Sequence, residues 1–248
     1  MANDIIAAVK TSTAVINKLH ENNGSSPTEL SKSLDVSVST VHRHLNTLHE
    51  AGYVLKEDNK YYLGFRFLNL GEYTRYRKQE YQTIAEKLGK IAKKTGLETD
   101  FSVFDHGRLI VVHQVHQEEN YWNNRSTGNY YYAHSTSAGK ALLAEFTEKE
   151  VNDVVSQWGL PAQTKNTITT FTELHSELEQ TRQRGYGIND EESAEGLRSV
   201  GMTIETANDS IIGCVSISGP AYRIRDSHLH ERFPEILRNA VQELKNEF

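Results

Sequence analysis

Cysteine is almost absent: Cys214 stands alone in 248 residues. No intrachain disulfide can form, which suits a reducing cytosol. Long apolar runs are missing too. None approaches the roughly 18 residues that a membrane helix needs. The first residues carry Asp4 and lack a basic stretch followed by an apolar one, so no signal peptide is expected. These absences predict a soluble, cytoplasmic protein with no membrane partner. Enzyme signatures are also missing: there is no G-x-S-x-G, H-E-x-x-H, P-loop or G-x-G-x-x-G. Serine, histidine and aspartate are present but without catalytic spacing, so no catalytic residue, metal or cofactor is expected. Surplus positive charge is lacking as well. The net charge is −6, which alone argues against an indiscriminate nucleic-acid binder.

That average conceals a division along the chain. Residues 1–64 carry 6 basic and 7 acidic side chains, 65–96 carry 8 and 3, and 97–248 carry 13 and 23. The same cuts separate three kinds of pattern. The first block, 1–64, opens with a helix predicted over 3–21, with Ile5, Ile6, Val9, Val15, Ile16 and Leu19 as its apolar positions. "NNGSSP" (22–27) breaks it. "SPTE" (26–29) is a capping box with Pro27 at the first helical position. It starts a short helix holding Leu30 and Leu34. A turn at 35–37 leads to a second helix whose apolar residues Val38, Val41, Leu45 and Leu48 are spaced 3, 4 and 3. Gly52 closes it, and "YVL" and "YYL" flank "KEDNK" as a β-hairpin with a charged tip. Helix, helix-turn-helix, hairpin is the order of a winged helix.

The outward face of that last helix carries its meaning. Ser37, Ser39 and Thr40 at its start are short hydroxyls able to reach phosphates and base edges. Arg43 can pair bidentately with guanine. His42 and Asn46 can add backbone or base contacts, and Lys56 and Lys60 on the hairpin can meet phosphate. Free N–H groups at the helix start add to these. The block's own charge gives a weak electrostatic footprint. Either the basic segment 65–96 supplements the field, or the protein works at high salt.

Residues 66–95 read as one long linker helix of roughly 45 Å at about 1.5 Å per residue. Tyr73, Tyr81, Ile84, Leu88 and Ile91 would support self-association. The third block mixes strands and helices as an antiparallel sheet with helices, so the whole chain is α+β. "TDFSVF" and "RLIVVHQV" form a hairpin around "DHG". "NYYYAH" is strand-like and "STSAGKALLAEF" turns helical. "LHSELEQTRQRG" is a helix, "YGI" a short strand, and "RSVGMTIE" with "SIIGCVSIS" a further strand pair. The last helix contains Pro234, which predicts a kink or restart.

Several residues in this block suit ligand binding. Ser137, Ala138 and Gly139 let backbone N–H groups at a helix start approach a carboxylate or other anion; Ser137 as an ordinary N-cap is the alternative. "INDEES" gathers Asn189 and Asp190 with Glu191 and Glu192 after a strand, or else forms a solvated acidic loop. Ser216 and Ser218 share one face of a strand while Ile211, Val215 and Ile217 share the other, and one face must be core. If the serines point inward they need partners, which a polar ligand could supply. Tyr121, Trp122 and Tyr130–Tyr132 could form aromatic walls or simply pack. His113, His116, His134, His228 and His230 could meet around a metal but read better as surface or satisfied histidines. Cys214 reads as a buried small hydrophobe.

"SPTELSKSLDVSVSTVHRHLNTLHEAGYV" followed by "YYLGFRFLNLG" resembles the winged-helix core of the IclR family of transcriptional regulators. "HSTSAGKALLA", "TRQRGYGINDEESAEGLRSVG" and "VSISGPAYRI" resemble that family's stretches in the second domain, in the same order, over most of residues 8–240. The resemblance implies a winged helix-turn-helix DNA-binding domain (1–64), a linker helix (65–96) and a GAF/PAS-like effector-binding domain (97–248). It also implies a double-stranded DNA operator, a small organic effector and a homodimer, with a homotetramer as an alternative. Ser199 falls where some members place Cys or another small residue in the pocket. Asn189 falls where the family places an acidic residue that touches the effector, so the charge is lost here while hydrogen-bonding capacity remains. The competing reading is a small-molecule-processing enzyme with an appended DNA domain.

Overall fold

A computed structural model describes residues 5–116, 127–208 and 210–248. The chain divides into two compact units, Met1–Arg77 and Lys78–Phe248.

Among the described residues the first unit has four helices and a hairpin. Helix α1 spans Ala7–Glu21, starting later than the sequence pattern suggests. Val15 and Leu19 are buried, whereas Ile5, Ile6 and Val9 are exposed. Helix α2, Pro27–Leu34, is set by its capping box: Ser26 accepts from the Glu29 N–H, and the Glu29 carboxylate accepts from the Ser26 N–H. Those bonds, backbone first, hold Glu29 below the ordinary carboxylate range. Asp35, in the left-handed conformation at φ 52°, ends α2. Helix α3, Val38–Glu50, follows with Ser37 as N-cap. The hairpin pairs β1 (Val54–Glu57) with β2 (Lys60–Leu63). Val15, Leu19, Leu30, Val41, Leu45, Leu48, Val54 and Tyr61 make one core. Val38, expected in that core, is 41% exposed because the first turn of α3 extends beyond it.

The expected single linker helix is two. Helix α4, Arg66–Tyr76, ends before Lys78, whose backbone is extended, and α5 runs Gln79–Thr95. Only Tyr73 of the five residues credited with self-association is exposed. Tyr81, Ile84, Leu88 and Ile91 are buried in the core of the second unit.

Among the described residues that unit is built on a six-stranded antiparallel sheet. Its strands are β3 (Glu98–Asp105), β4 (Arg108–Val115), β5 (Tyr130–Tyr131), β6 (Gly187–Asp190), β7 (Leu197–Glu205) and β8 (Ile211–Pro220). Their order is β5-β4-β3-β8-β7-β6. One face meets α5 and the last helix, α9 (Phe233–Lys245), with Phe101, Val200, Met202, Val215 and Ile217 in the shared core. The other face carries α6 (Ser137–Glu145) over β6, β7 and β8. Outside α6 lie α7 (Glu148–Trp158) and α8 (Phe171–Arg184). Pro234 stands in the first turn of α9, after a π-helical turn at His228–Arg232, which is the restart its ring imposes.

Two glycines let α6 lie directly on the sheet. A Cβ at Gly187 would sit 2.0 Å from the Ser137 carbonyl oxygen, and one at Gly201 would sit 2.5 Å from the Ala138 nitrogen. Helix and sheet backbones thus touch at the start of α6.

Candidate functional site

The sequence points to two sites, one on each unit. On α3, Ser39, His42, Arg43 and Asn46 fall at i, i+3, i+4 and i+7, so they share one face. All four are exposed, opposite buried Val41, Leu45 and Leu48. Ser37 accepts from the Thr40 N–H at 3.1 Å, and the two hydroxyls lie 2.8 Å apart. The start of α3 is therefore held by hydroxyls that also line its outer rim. His44 and His49 are used internally: His44 bonds Ser12 Oγ at 2.8 Å and His49 bonds the Val54 carbonyl at 3.0 Å. Only His42 of the three is left to the outer face. Lys56 and Lys60 are exposed on the hairpin, and Lys56 lies 5.7 Å from the Tyr61 ring centre.

In the second unit, the sheet register assembles the site. Reading across the strands, Glu98 pairs with Ser218, Ser218 with Ser199, and Ser199 with Asn189. The neighbouring row runs Asp100, Ser216, Gly201 and Gly187. Side chains in these rows point to the face that α6 only partly covers. The helix sits over the two glycines, and the rest of the rows floors a cleft of about 550 Å³ including its mouth. Of the residues singled out in the sequence, Ser137, Ala138, Asn189, Ser199, Ser216 and Ser218 line it. So the serine face of β8 is the cleft face, and Val215 and Ile217 face the core.

Other expected residues sit elsewhere. Gly139 stands outside the lining: a Cβ there would meet the Ala133 carbonyl at 2.2 Å. Asp190 is also outside it, within β6 and not in the loop after it, and its carboxylate pairs with Arg198 at 2.6 Å. The N-cap of α6 is Thr136, whose hydroxyl accepts from the Gly139 N–H at 3.1 Å; Ser137 instead bonds Ser199 Oγ at 2.7 Å. Of the tyrosines, Tyr131 lines the cleft, while Tyr130 donates to Asp105 at 2.9 Å. Tyr121 and Trp122 lie outside the described residues. His134 bonds the Pro161 carbonyl at 3.3 Å and His116 pairs with Glu98 at 3.1 Å. Among the described residues no three His, Cys, Asp or Glu gather as a metal site. Cys214 is buried, and burial pushes its thiol far above the ordinary range.

Asn189 is spent on the loop. Its carbonyl accepts from the N–H groups of Glu192 (2.8 Å) and Ser193 (3.2 Å), and its amide donates to Ser193 Oγ at 2.9 Å. A neutral amide can do all three, since it both donates and accepts. The same loop is anchored by Lys140, a buried lysine in the middle of α6. Its ammonium meets Glu192 at 2.5 Å and Glu177 at 3.2 Å, and Arg184 reaches Glu177 at 2.6 Å. Burial pushes Glu177 up, but Lys140 and Arg184 outweigh it and the carboxylate ends below its ordinary range.

The most consequential residues were missed: Glu98 and Asp100 both line the cleft. Asp100 is 7% exposed, and its Oδ1 has no hydrogen-bond partner. Burial first, then the neighbouring Glu98, raises its carboxyl well above the ordinary range. Burial likewise raises Glu98, against the pull of His116. The signal was present in "ETDFS", where Glu98, Asp100 and Ser102 alternate on one strand face.

Known proteins match both halves. Residues 12–58 match the IclR helix-turn-helix domain, and 79–246 match the bacterial transcriptional regulator IclR C-terminal domain. The chain belongs to the IclR family of transcriptional regulators. It is 27% identical over 240 residues to the probable HTH-type transcriptional regulator ArcR of Halobacterium salinarum, covering 95% of this chain and 91% of that one. The crystal structure of the Thermotoga maritima IclR is similar with a TM-score of 0.76 at 27% identity, covering 96% of this chain and 97% of that one. An IclR homolog from Microbacterium hydrocarbonoxydans, complexed with 4-hydroxybenzoate, shares the fold: TM-score 0.82, 18% identity, 97% and 98% covered. The IclR-family fold, with its helix-turn-helix DNA-binding domain followed by a sheet-and-helix domain, is thus the fold of this chain.

Proposed function

We propose that this IclR-family regulator binds a near-palindromic operator as a homodimer and that a small organic effector in the cleft changes that binding. On this reading Ser37, Ser39, Thr40, His42, Arg43 and Asn46 of α3 face the major groove, with Arg43 on a base edge and the hydroxyls on phosphate or base. Lys56 and Lys60 on the hairpin meet the backbone. Self-association would cover apolar side chains left open in the first unit, among them Ile5, Ile6, Phe65, Leu68 and Tyr73. The protein acts where the chromosome is, in the cytoplasm, and carries out no turnover.

The observation that carries the effector reading is the hydroxyl floor of Ser199, Ser216 and Ser218. Each is less than a tenth exposed, yet each faces a cleft and not the packed core. Ser199 is already bonded to Ser137, and a polar ligand held by a carboxylate at the α6 start would add partners for the hydroxyls that face the cleft. The fold-level similarity to a homolog complexed with 4-hydroxybenzoate supports a small organic ligand as the class of effector. The test is fluorescence anisotropy of the full chain on its own operator, titrated with fractionated cell metabolites. At least one fraction should shift the operator midpoint, and Ser218→Ala should blunt the shift without weakening binding in its absence. A variant that loses operator binding outright would make Ser218 a structural residue.

A further inference from the structure

The cleft has two ends of opposite electrical character. At one end, Glu98 and Asp100 stand on the same face of β3. At the other is the first turn of α6, where N–H groups lacking an intrahelical partner carry the positive end of the helix dipole. Between them the floor is neutral: Ser216 and Ser218 on β8 and Ser199 on β7. The distance follows from the register. Asp100 pairs with Ser216 and Ser216 with Gly201, and Gly201 lies under Ala138. Two strand spacings of about 4.8 Å put roughly 10 Å between the backbone of Asp100 and that of Gly201. Side chains shorten the gap to the length of a small molecule.

No lysine, arginine or histidine lines the cleft among the described residues. His116 answers one oxygen of Glu98 at 3.1 Å. No basic side chain among the described residues pairs with Asp100, whose Oδ1 is buried without a hydrogen-bond partner. A simple anionic effector would meet the α6 turn well but would bring no donor to the buried Asp100 Oδ1 at the other end, which stands beside Glu98.

We infer that the effector is amphoteric, a small molecule of the amino-acid class, with its carboxylate at the start of α6 and a cationic nitrogen at Glu98 and Asp100. This rests on the cleft being the effector site. A cation there supplies the partner that Asp100 Oδ1 lacks, and the serine floor takes the polar atoms between. The raised carboxyl of Asp100 fits the same picture, since burial without a cation disfavours its ionised form.

Calorimetric titration of the full chain tests the assignment. The probes are the common L-amino acids, the 2-keto acid and the decarboxylated amine matching each, and 4-hydroxybenzoate. At least one amino acid should bind about tenfold or more tightly than both its keto acid and its amine, the size of one charge-assisted hydrogen bond lost. Asp100→Asn should reduce that affinity by a similar factor. Glu98→Gln, with folding checked by circular dichroism, serves if Asp100→Asn does not fold. Tighter binding of a keto acid or of 4-hydroxybenzoate than of any amino acid would overturn the amphoteric assignment and leave the cleft as the effector site. Amino-acid binding unaffected by Ser218→Leu, which fills the cleft, would overturn the placement on which the assignment rests. No binding by any probe would overturn the amino-acid class.

Discussion

The outer face of α3 and the cleft of the second unit are polar surfaces made in opposite ways. On α3, neighbours in sequence make the surface: Ser39, His42, Arg43 and Asn46 lie within two helical turns and are exposed. In the cleft, Glu98, Asn189, Ser199 and Ser218 come from four strands and meet only through sheet register. Their side chains are buried or nearly so. A solvated face costs little to maintain and can be altered one residue at a time. A buried polar cleft carries desolvated groups that must be held by others, so its residues are coupled. The contrast predicts that cleft substitutions act on stability and ligand together, whereas α3 substitutions act on DNA alone.

The largest effect should come from the buried ion cluster behind the cleft. Lys140→Met leaves Glu192 and Glu177 without their ammonium partner. Urea denaturation should show a loss of about 3–5 kcal/mol in the second unit, as when one member of a buried pair is removed. A loss below about 1 kcal/mol would mean that water reaches the carboxylates and that the cluster behaves like an exposed pair.

Arg43→Ala comes next and acts on the other side of the comparison. It should weaken operator binding by about 1–3 kcal/mol and relax discrimination at one base position, with no change in Tm. A uniform loss across all sequences would reassign Arg43 to a phosphate.

A smaller effect, with the opposite sign, is expected at Asp100. Its folded carboxyl lies above the ordinary aspartate range. The folded chain therefore holds a proton that the unfolded chain has released. Stability then declines as pH climbs from the aspartate range towards the folded value. Glu98, Gln114 and Ser218 meet the group, with His116 paired to Glu98, and none of them is altered in the variant. Asp100→Asn removes the slope. Scanning calorimetry should show a Tm a few degrees higher than the parent at neutral pH, converging near about pH 4, the ordinary aspartate value. Equal Tm values at both pH values would show that Asp100 is ionised and satisfied in the empty cleft.

The smallest change tests the α3 side for hidden coupling. Ser37 caps the helix and also lies on its outer rim. Ser37→Ala should cost about 1 kcal/mol of stability in the first unit, while Ser39→Ala, two residues on, should leave stability unchanged and alter only operator binding. Loss of stability in both would make the start of α3 a structural device first.

How much the sequence discloses follows the same division. The first unit is legible because its signals are local: the capping box at Ser26 and Glu29, the 3-4-3 spacing of Val38, Val41, Leu45 and Leu48, and the charged hairpin tip. Even there Val38 misleads, because helical spacing says which face a residue is on, not how far the core extends along the helix. The break between α4 and α5 was hidden for a related reason. Nothing in "YTRYRKQEY" forbids a helix, and α5 is claimed by the second core through Tyr81, Ile84, Leu88 and Ile91. In the cleft, Ser216 and Ser218 could be paired on one face from alternation alone, but which face was core could not. Glu98 and Asp100 alternate just as plainly. Their partners across β8 and β7, however, are more than 100 residues away in sequence, and register between distant strands leaves no local trace. Lys140 offered no signal, since a lysine in a helix ordinarily reaches solvent and this one ends 1% exposed.

The most direct test of the whole account is selection of bound fragments from genomic DNA by the purified full chain, repeated over a series of salt concentrations. The account predicts a shared near-palindromic sequence among the captured fragments, with enrichment that falls as salt rises in proportion to the phosphate contacts released. Fragments with no common sequence at any salt concentration would contradict it.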